Sequence, residues 1–237
     1  MISENVNKRS AMIALLLLVP APSLGIWLAM YAMPGTMIGQ LAWGASKLWL
    51  LLLPAVWGRW VDHQRWRIPH FRGRGRHFRG LGWGLLTGLL IFAAIYGAFL
   101  LFGHHMMDAA FVSGQARSRG LKSPVIFVGM GIYWCTINAL LEEYVWRWFV
   151  FTRCAALTHR NTAIIASALL FTVHHVFALA IYFDWRVTLL GSGGVCIGGA
   201  TWSWLYARYG NIYAAWLSHI FADAAIFVIG YQLIFQG

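Results

Sequence analysis

Long apolar runs, each about as long as a bilayer is thick, alternate with short polar connections along the whole chain. They are readable at 11–33, 37–58, 80–103, 124–151, 161–183, 188–207 and 212–235. A spanning helix needs roughly 20 mostly apolar residues. The apolar positions fill whole blocks where a soluble helix would show one stripe, so the pattern predicts an all-α, polytopic transmembrane helical bundle of about seven spans, with six and eight as the bounds. The first run continues past Pro20 and Pro22 to Met33, too long for the core of a cleaved signal peptide, and is read as a retained span. Two connections are longer than the rest, 59–79 and 104–122, and the second is the place where a further or re-entrant segment would hide.

Composition agrees with this reading. The 237 residues are 60% hydrophobic and 11% charged, with a mean hydropathy of +0.64, which places the chain in a bilayer and leaves no room for a sizeable soluble domain. Cys135, Cys154 and Cys196 lie in or beside apolar runs without metal-ligand spacing, so no disulfide framework is implied. Two parts are distinguished: residues 1–123, N-terminal transmembrane helices with a basic loop at 59–79, and residues 124–237, which carry the chemistry described below.

The net charge of +11 is concentrated beside spans, which makes it a topology signal and not a nucleic-acid footprint. Placing 59–79 in the cytoplasm puts Arg59, Arg65, Arg67, Arg72, Arg74, Arg76 and Arg79 there, with Lys8, Arg9, Arg153, Arg160 and Arg208. The opposite side receives Arg117, Arg119, Lys122 and Arg186, twelve against four, so a cytoplasmic N-terminus is expected. The basic loop is also suited to anionic lipid headgroups. Trp60, Trp66, Trp83, Trp185, Tyr206 and Tyr209 read as interfacial anchors. Gly194 and Gly198 make a GxxxG face, and a closely packed partner is expected for that span.

Charged groups near the bilayer centre cost roughly 2.5–3.5 kcal/mol each on insertion scales, so those present need a reason. Glu142, Glu143, Arg147, His175 and His219 stand out, joined by His174, Asp223 and a Lys47 without a named partner. Glu143 and Arg147 are four apart, glutamate first, the favourable order for a helical ion pair, and are expected to form a buried structural pair. At about 100° per residue Glu142 points away from that pair and needs a separate partner: a proton, a water or groups on another helix. His219 and Asp223 also share a face at four-residue spacing. Glu142 stands 11 residues from Arg153, His175 15 from Arg160 and His219 11 from Arg208, which at ~1.5 Å per residue is roughly 16, 22 and 16 Å from one membrane face. Three distant stretches therefore reach a common depth.

A carboxylate beside neutral imidazoles can act as general base on a water, with an imidazole donating to the developing oxyanion. The same Glu, His, His, Asp set suits zinc, but no HExxH is present, and no cofactor is expected. Ser218 adjoins His219 in sequence but points to a different face, and Cys135 and Cys196 have no sequence-local base, so these are weak nucleophile candidates.

Glu142-Glu143-x-x-x-Arg147, then Phe171-x-x-x-His175, then His219-x-x-x-Asp223, in this order on successive apolar helices, resembles the CAAX-protease and bacteriocin-processing family of intramembrane endopeptidases, the type II CAAX prenyl endopeptidase-like proteins. The resemblance covers about 124–235. It implies a catalytic Glu142 that activates water, His175 assisting, and His219 and Asp223 stabilising the oxyanion or orienting the water. Glu143 and Arg147 brace the site. The family usually has Asn where this chain has Asp223, and an acid donates a hydrogen bond only when protonated. The implied partner is a membrane-associated peptide or protein, the implied chemistry a metal-free glutamate mechanism. Compact size and the lack of an organellar extension point to a prokaryotic plasma membrane.

Two other classes compete. A proton-coupled transporter also uses intramembrane Glu, His and Arg, although no inverted repeat or paired interrupted helices are present. A non-catalytic immunity or assembly factor would need no intact site.

Overall fold

The computed structural model describes residues 6–63 and 74–236. Arg65, Trp66, Arg67 and Arg72 of the basic connection lie outside the described residues, so the lipid-headgroup reading of that loop rests on its sequence. Eight helices make up the described chain: α1 Lys8–Ala32, α2 Met37–Val61, α3 Gly75–Gly103, α4 Ala109–Ser118, α5 Pro124–Leu157, α6 Arg160–Leu179, α7 Trp185–Tyr209 and α8 Tyr213–Phe235. No strand occurs among the described residues.

Local chemistry sets the helix ends. The side chains of Thr36, Asp108, Ser123 and Asp184 each accept a backbone N–H of the first turn that follows, satisfying donors that a helix start leaves orphaned. Pro124 stands at the first turn of α5, where its missing N–H costs nothing. α7 stops at Gly210, whose φ of 73° suits a residue without Cβ. α1 runs through Pro20 and Pro22, and Pro54 of α2 is followed by a π-helical turn at Trp57–Val61.

Six helices, α1, α2, α3, α5, α6 and α8, are long and apolar enough to cross a membrane. α7 has the length, 25 residues, but its glycines, serines and threonines make it less apolar. The protein is an integral membrane protein with an inverted surface: Leu16, Leu41, Val125, Leu189 and Ile197 are 65–81% exposed, while Glu143, Arg147 and Ser203 are fully buried. Lipid pays the hydrophobic term here, and the interior is selected for packing and polar satisfaction. Residues 104–122 hold no further span. α4 has only 10 residues, and it buries Val112 and Ala116 in a small core with Phe127 of α5 and Ile229, Leu233 and Ile234 of α8.

α8 packs chiefly on α3, α6 on α7, and α1 on α2 and the end of α5. The close approach that sequence assigns to Gly194 and Gly198 occurs elsewhere. A Cβ on Gly194 would meet nothing within 4 Å, and one on Gly198 only Trp202 of its own helix. On α3, by contrast, a Cβ at Gly84 would lie 2.4 Å from the Ala214 carbonyl oxygen, and one at Gly88 3.0 Å from Ser218 Cα. The operative GxxxG pair is Gly84 and Gly88, because α8 lies against that face, and Gly199 serves α6 on the other side of α7 through Ala168 and Phe171. Gly84→Leu is expected to destabilise the bundle by about 1–3 kcal/mol through overpacking, and Gly194→Leu to leave it unchanged. Thermal unfolding of the two purified variants in detergent separates them.

Two further expectations change. Arg153 is buried, paired to Asp62 at the end of α2 with its guanidinium over the Phe149 ring. Asp62 also accepts the Ser10 hydroxyl, which receives Trp57 Nε1–H. Arg153 thus ties α5 to α1 and α2 and is not a free interfacial charge. Tyr206 packs edge-on against Phe151 and Tyr209 lies over Gly80, so both are packing residues, whereas Trp60, Trp83 and Trp185 are exposed.

Candidate functional site

α5 carries the glutamates on a five-residue α-helical piece, Ala139–Glu143, flanked by π-helical stretches at Trp134–Asn138 and Tyr144–Phe151. π turns are uncommon and recur at functional sites, where the extra residue re-aims neighbouring side chains. Within that piece both adjacent glutamates reach α8, because His219 presents one ring nitrogen to each.

Glu143 is saturated. Its Oε2 takes Arg147 Nε at 3.0 Å and its Oε1 takes His219 Nδ1 at 2.9 Å, with no exposure of the glutamate or the arginine. A carboxylate can only accept from the ring, so His219 Nδ1 carries a proton and Nε2 faces the other way. There it meets Glu142 Oε2 at 3.8 Å and Asp223 Oδ1 at 3.5 Å. One imidazole therefore bridges the two glutamates. The ring lies flat against Trp202, 3.8 Å between centroids, and the Arg147 guanidinium sits over Phe171 and Trp202 at 4.9 and 5.4 Å. The two Nη atoms of Arg147 are buried without hydrogen-bond partners, so these ring faces are what receives the remaining charge.

Glu142 is held more loosely. Asn138 Nδ2 donates to Oε1 at 2.9 Å, and the side chain keeps 16% exposure, which leaves Oε2 open to a small molecule. His175 is oriented by its own helix: Nδ1 lies 3.0 Å from the Phe171 carbonyl oxygen, which cannot donate, so Nδ1–H is the donor and the Nε2 lone pair points away. The Phe171-x-x-x-His175 spacing thus has two uses, a carbonyl that sets the tautomer and a ring that holds Arg147. Asp223 has one buried oxygen, Oδ2, without a partner.

Every residue named from sequence is present in one region. Glu142, Glu143, Arg147, His219 and Asp223 form a connected network, and His175 reaches it through Glu142. His174 adds to this: one ligand atom from each of Glu142, His174 and His175 lie within 4.8 Å of one another, a donor set of two imidazoles and a carboxylate that fits zinc. It is not the Glu142, His175, His219 and Asp223 combination considered from sequence. His174 stacks on Trp146 at 5.2 Å, and its Nδ1 is buried without a partner.

Sequence reasoning missed three contributors, Asn138, Trp146 and Trp202, and named a fourth, Lys47, without a partner. Asn138 stands one turn before Glu142, and the four-residue spacing alone could have found it. Trp146 and Trp202 look like any other aromatic of an apolar span. Lys47 comes from α2, and its charge acts on Glu142 and His174 across the interior.

Residues 123–225 match the family model described as type II CAAX prenyl endopeptidase Rce1-like. Among curated proteins and among solved structures, none matches.

Proposed function

We propose, for a chain whose residues 123–225 match the type II CAAX prenyl endopeptidase Rce1-like family model, that it is an intramembrane endopeptidase cleaving a membrane-associated peptide or protein, with Glu142 as the base that activates water. The observation that carries this reading is the inequality of the two glutamates. Glu143 spends both oxygens on Arg147 and His219, while Glu142 keeps Oε2 free of a hydrogen bond and partly exposed.

In the proposed reaction a water sits between Glu142 Oε2 and the lone pair of His175 Nε2. Glu142 takes one proton as the water oxygen bonds to the scissile carbonyl carbon. The carbonyl oxygen gains the charge and is met by donors from α8: His219 Nε2–H when the ring carries both protons, or Asp223 in its acid form. Collapse breaks the C–N bond, and the proton held by Glu142 passes to the leaving amine. Glu143 and Arg147 keep His219 in place. The aromatic walls from Phe171 and Trp202 exclude bulk water, which strengthens every charge interaction inside.

The reading is tested by comparing the membrane peptides of cells with the wild-type protein and with Glu142→Ala. One or more peptides should lose their processed form in the variant. An identical peptide profile, with the variant inserted at wild-type level, would sink the protease assignment. Proton flux in liposomes that depends on Glu142 would move it to the transporter class.

A second reading is favoured by the proximity of Glu142, His174 and His175. When bound there, zinc would lower the pKa of a coordinated water and polarise a carbonyl, and these three side chains would hold it. The glutamate reading expects cleavage to survive prolonged incubation with a strong chelator. Loss of cleavage that returns on adding zinc would assign the metal instead, and His174→Ala would then remove both activity and bound zinc.

Orientation and membrane follow from sequence alone: we place the N-terminus in the cytoplasm and the protein in a prokaryotic plasma membrane.

A further inference from the structure

Lys47 sits ten residues into a span whose other charge is Arg59, at the far end of the helix. Its ammonium stands between two indoles, 5.7 Å from the Trp43 ring centroid and 5.8 Å from that of Trp134 on α5. Among the described residues no carboxylate lies within ion-pair distance of it, and it makes no hydrogen bond. It is half-buried, the neighbouring Gly44 faces open space, and its charge reaches Glu142 and His174.

A cation in this position is costly. The two rings displace water from the ammonium and return part of the loss as cation–π attraction, but among the described residues no anion completes its coordination. The acids nearest in function, Glu142, Glu143 and Asp223, are engaged with Asn138, Arg147 and His219. A half-buried ammonium without an anion, held against Trp134 on the same helix that carries Glu142, is what a substrate bearing its own carboxylate would require.

Resting on the endopeptidase reading, we infer that Lys47 is a specificity-determining residue that binds a carboxylate of the substrate, with Trp43 and Trp134 as the walls of its slot, and so sets which peptide bond lies against Glu142. Two sources share that chemistry, the free C-terminus of the peptide and an acidic side chain near the scissile bond. The anion anchors one end of an extended substrate while the scissile carbonyl is presented beside His219.

The test uses the full-length protein in detergent micelles and a synthetic peptide carrying a farnesylated cysteine fourth from its C-terminus, in three forms: free acid, C-terminal amide, and C-terminal amide with an Asp in the last position. Wild type should cut the free acid with kcat/KM roughly tenfold to a hundredfold above the amide, the size expected for a charge-assisted hydrogen bond, with the difference mainly in KM. In Lys47→Met the acid-to-amide ratio should fall to about one, and in Lys47→Arg it should return. Recovery of the last peptide to the level of the free acid assigns a side-chain carboxylate; no recovery assigns the C-terminus. A wild-type ratio near one, a preference that persists in Lys47→Met, or equal loss of all three peptides in both Lys47 variants overturns the inference while leaving the protease reading intact. Absence of any Glu142-dependent cleavage of these peptides by wild type also overturns the inference, while the comparison of cellular membrane peptides decides the protease reading separately.

Discussion

Glu142→Gln is expected to insert and unfold as wild type does and to lose cleavage by on the order of a thousandfold, since the base is replaced by a group of the same shape that cannot take a proton. Asn138 can still hold the amide in place, and the Glu143–Arg147 pair is untouched. Glu143→Gln should behave differently, keeping a base but loosening His219, so that its loss is accompanied by a lower unfolding temperature. Single-turnover cleavage rates and thermal unfolding of the two proteins separate them. Equal kinetic and thermal behaviour would mean that the two carboxylates are not divided into a chemical and a structural one.

Arg147→Leu is the replacement with the largest expected cost in stability, about 3–5 kcal/mol, because it removes one member of a buried pair and leaves the other carboxylate without compensation. The surroundings magnify the effect. Both residues are fully buried, His219 shares the same carboxylate, and the rings of Phe171 and Trp202 are arranged around the guanidinium. Denaturant unfolding in mixed micelles should show the loss, and joining it to Glu143→Leu should recover part, since an apolar pair costs less than a single buried charge. Equal stability of the single variant and wild type would contradict the placement of this pair in the interior.

What could be read from sequence, and what could not, divides along physical lines. Glu142, Glu143, Arg147, His175, His219 and Asp223 were legible because an ionisable group in an apolar run is expensive and needs a partner at the same depth. The saturation of Glu143 and the openness of Glu142 were only half legible. Four-residue spacing gives the arginine, but the histidine that bridges both glutamates comes from another helix. Lys47 is separated from Glu142 by most of three helices, and no periodicity links them. Arg153 looked like an interfacial charge because Asp62, its partner, lies at the end of a distant span. The GxxxG reading went to Gly194 and Gly198 because a motif records which helix face permits close approach; which face has a neighbour is decided by the whole bundle, and the neighbour was at Gly84 and Gly88. The number of spans stayed soft for a related reason: α7 turns serines and a tryptophan inward, so its composition understates its membership in the bundle.

The π-helical stretches on either side of Ala139–Glu143 give the site a dependence on phase. A π turn holds one residue more than an α turn, and losing that residue would rotate everything beyond it by about 100°. Glu142 and Glu143 would then swing off the face that meets α8 with every side chain of the network still encoded in the chain. For this helix the count of residues between Pro124 and Glu142 is as much an inherited trait as the glutamates themselves: substitutions there can be absorbed one at a time, whereas an insertion or deletion has to be matched by its opposite within the same turn.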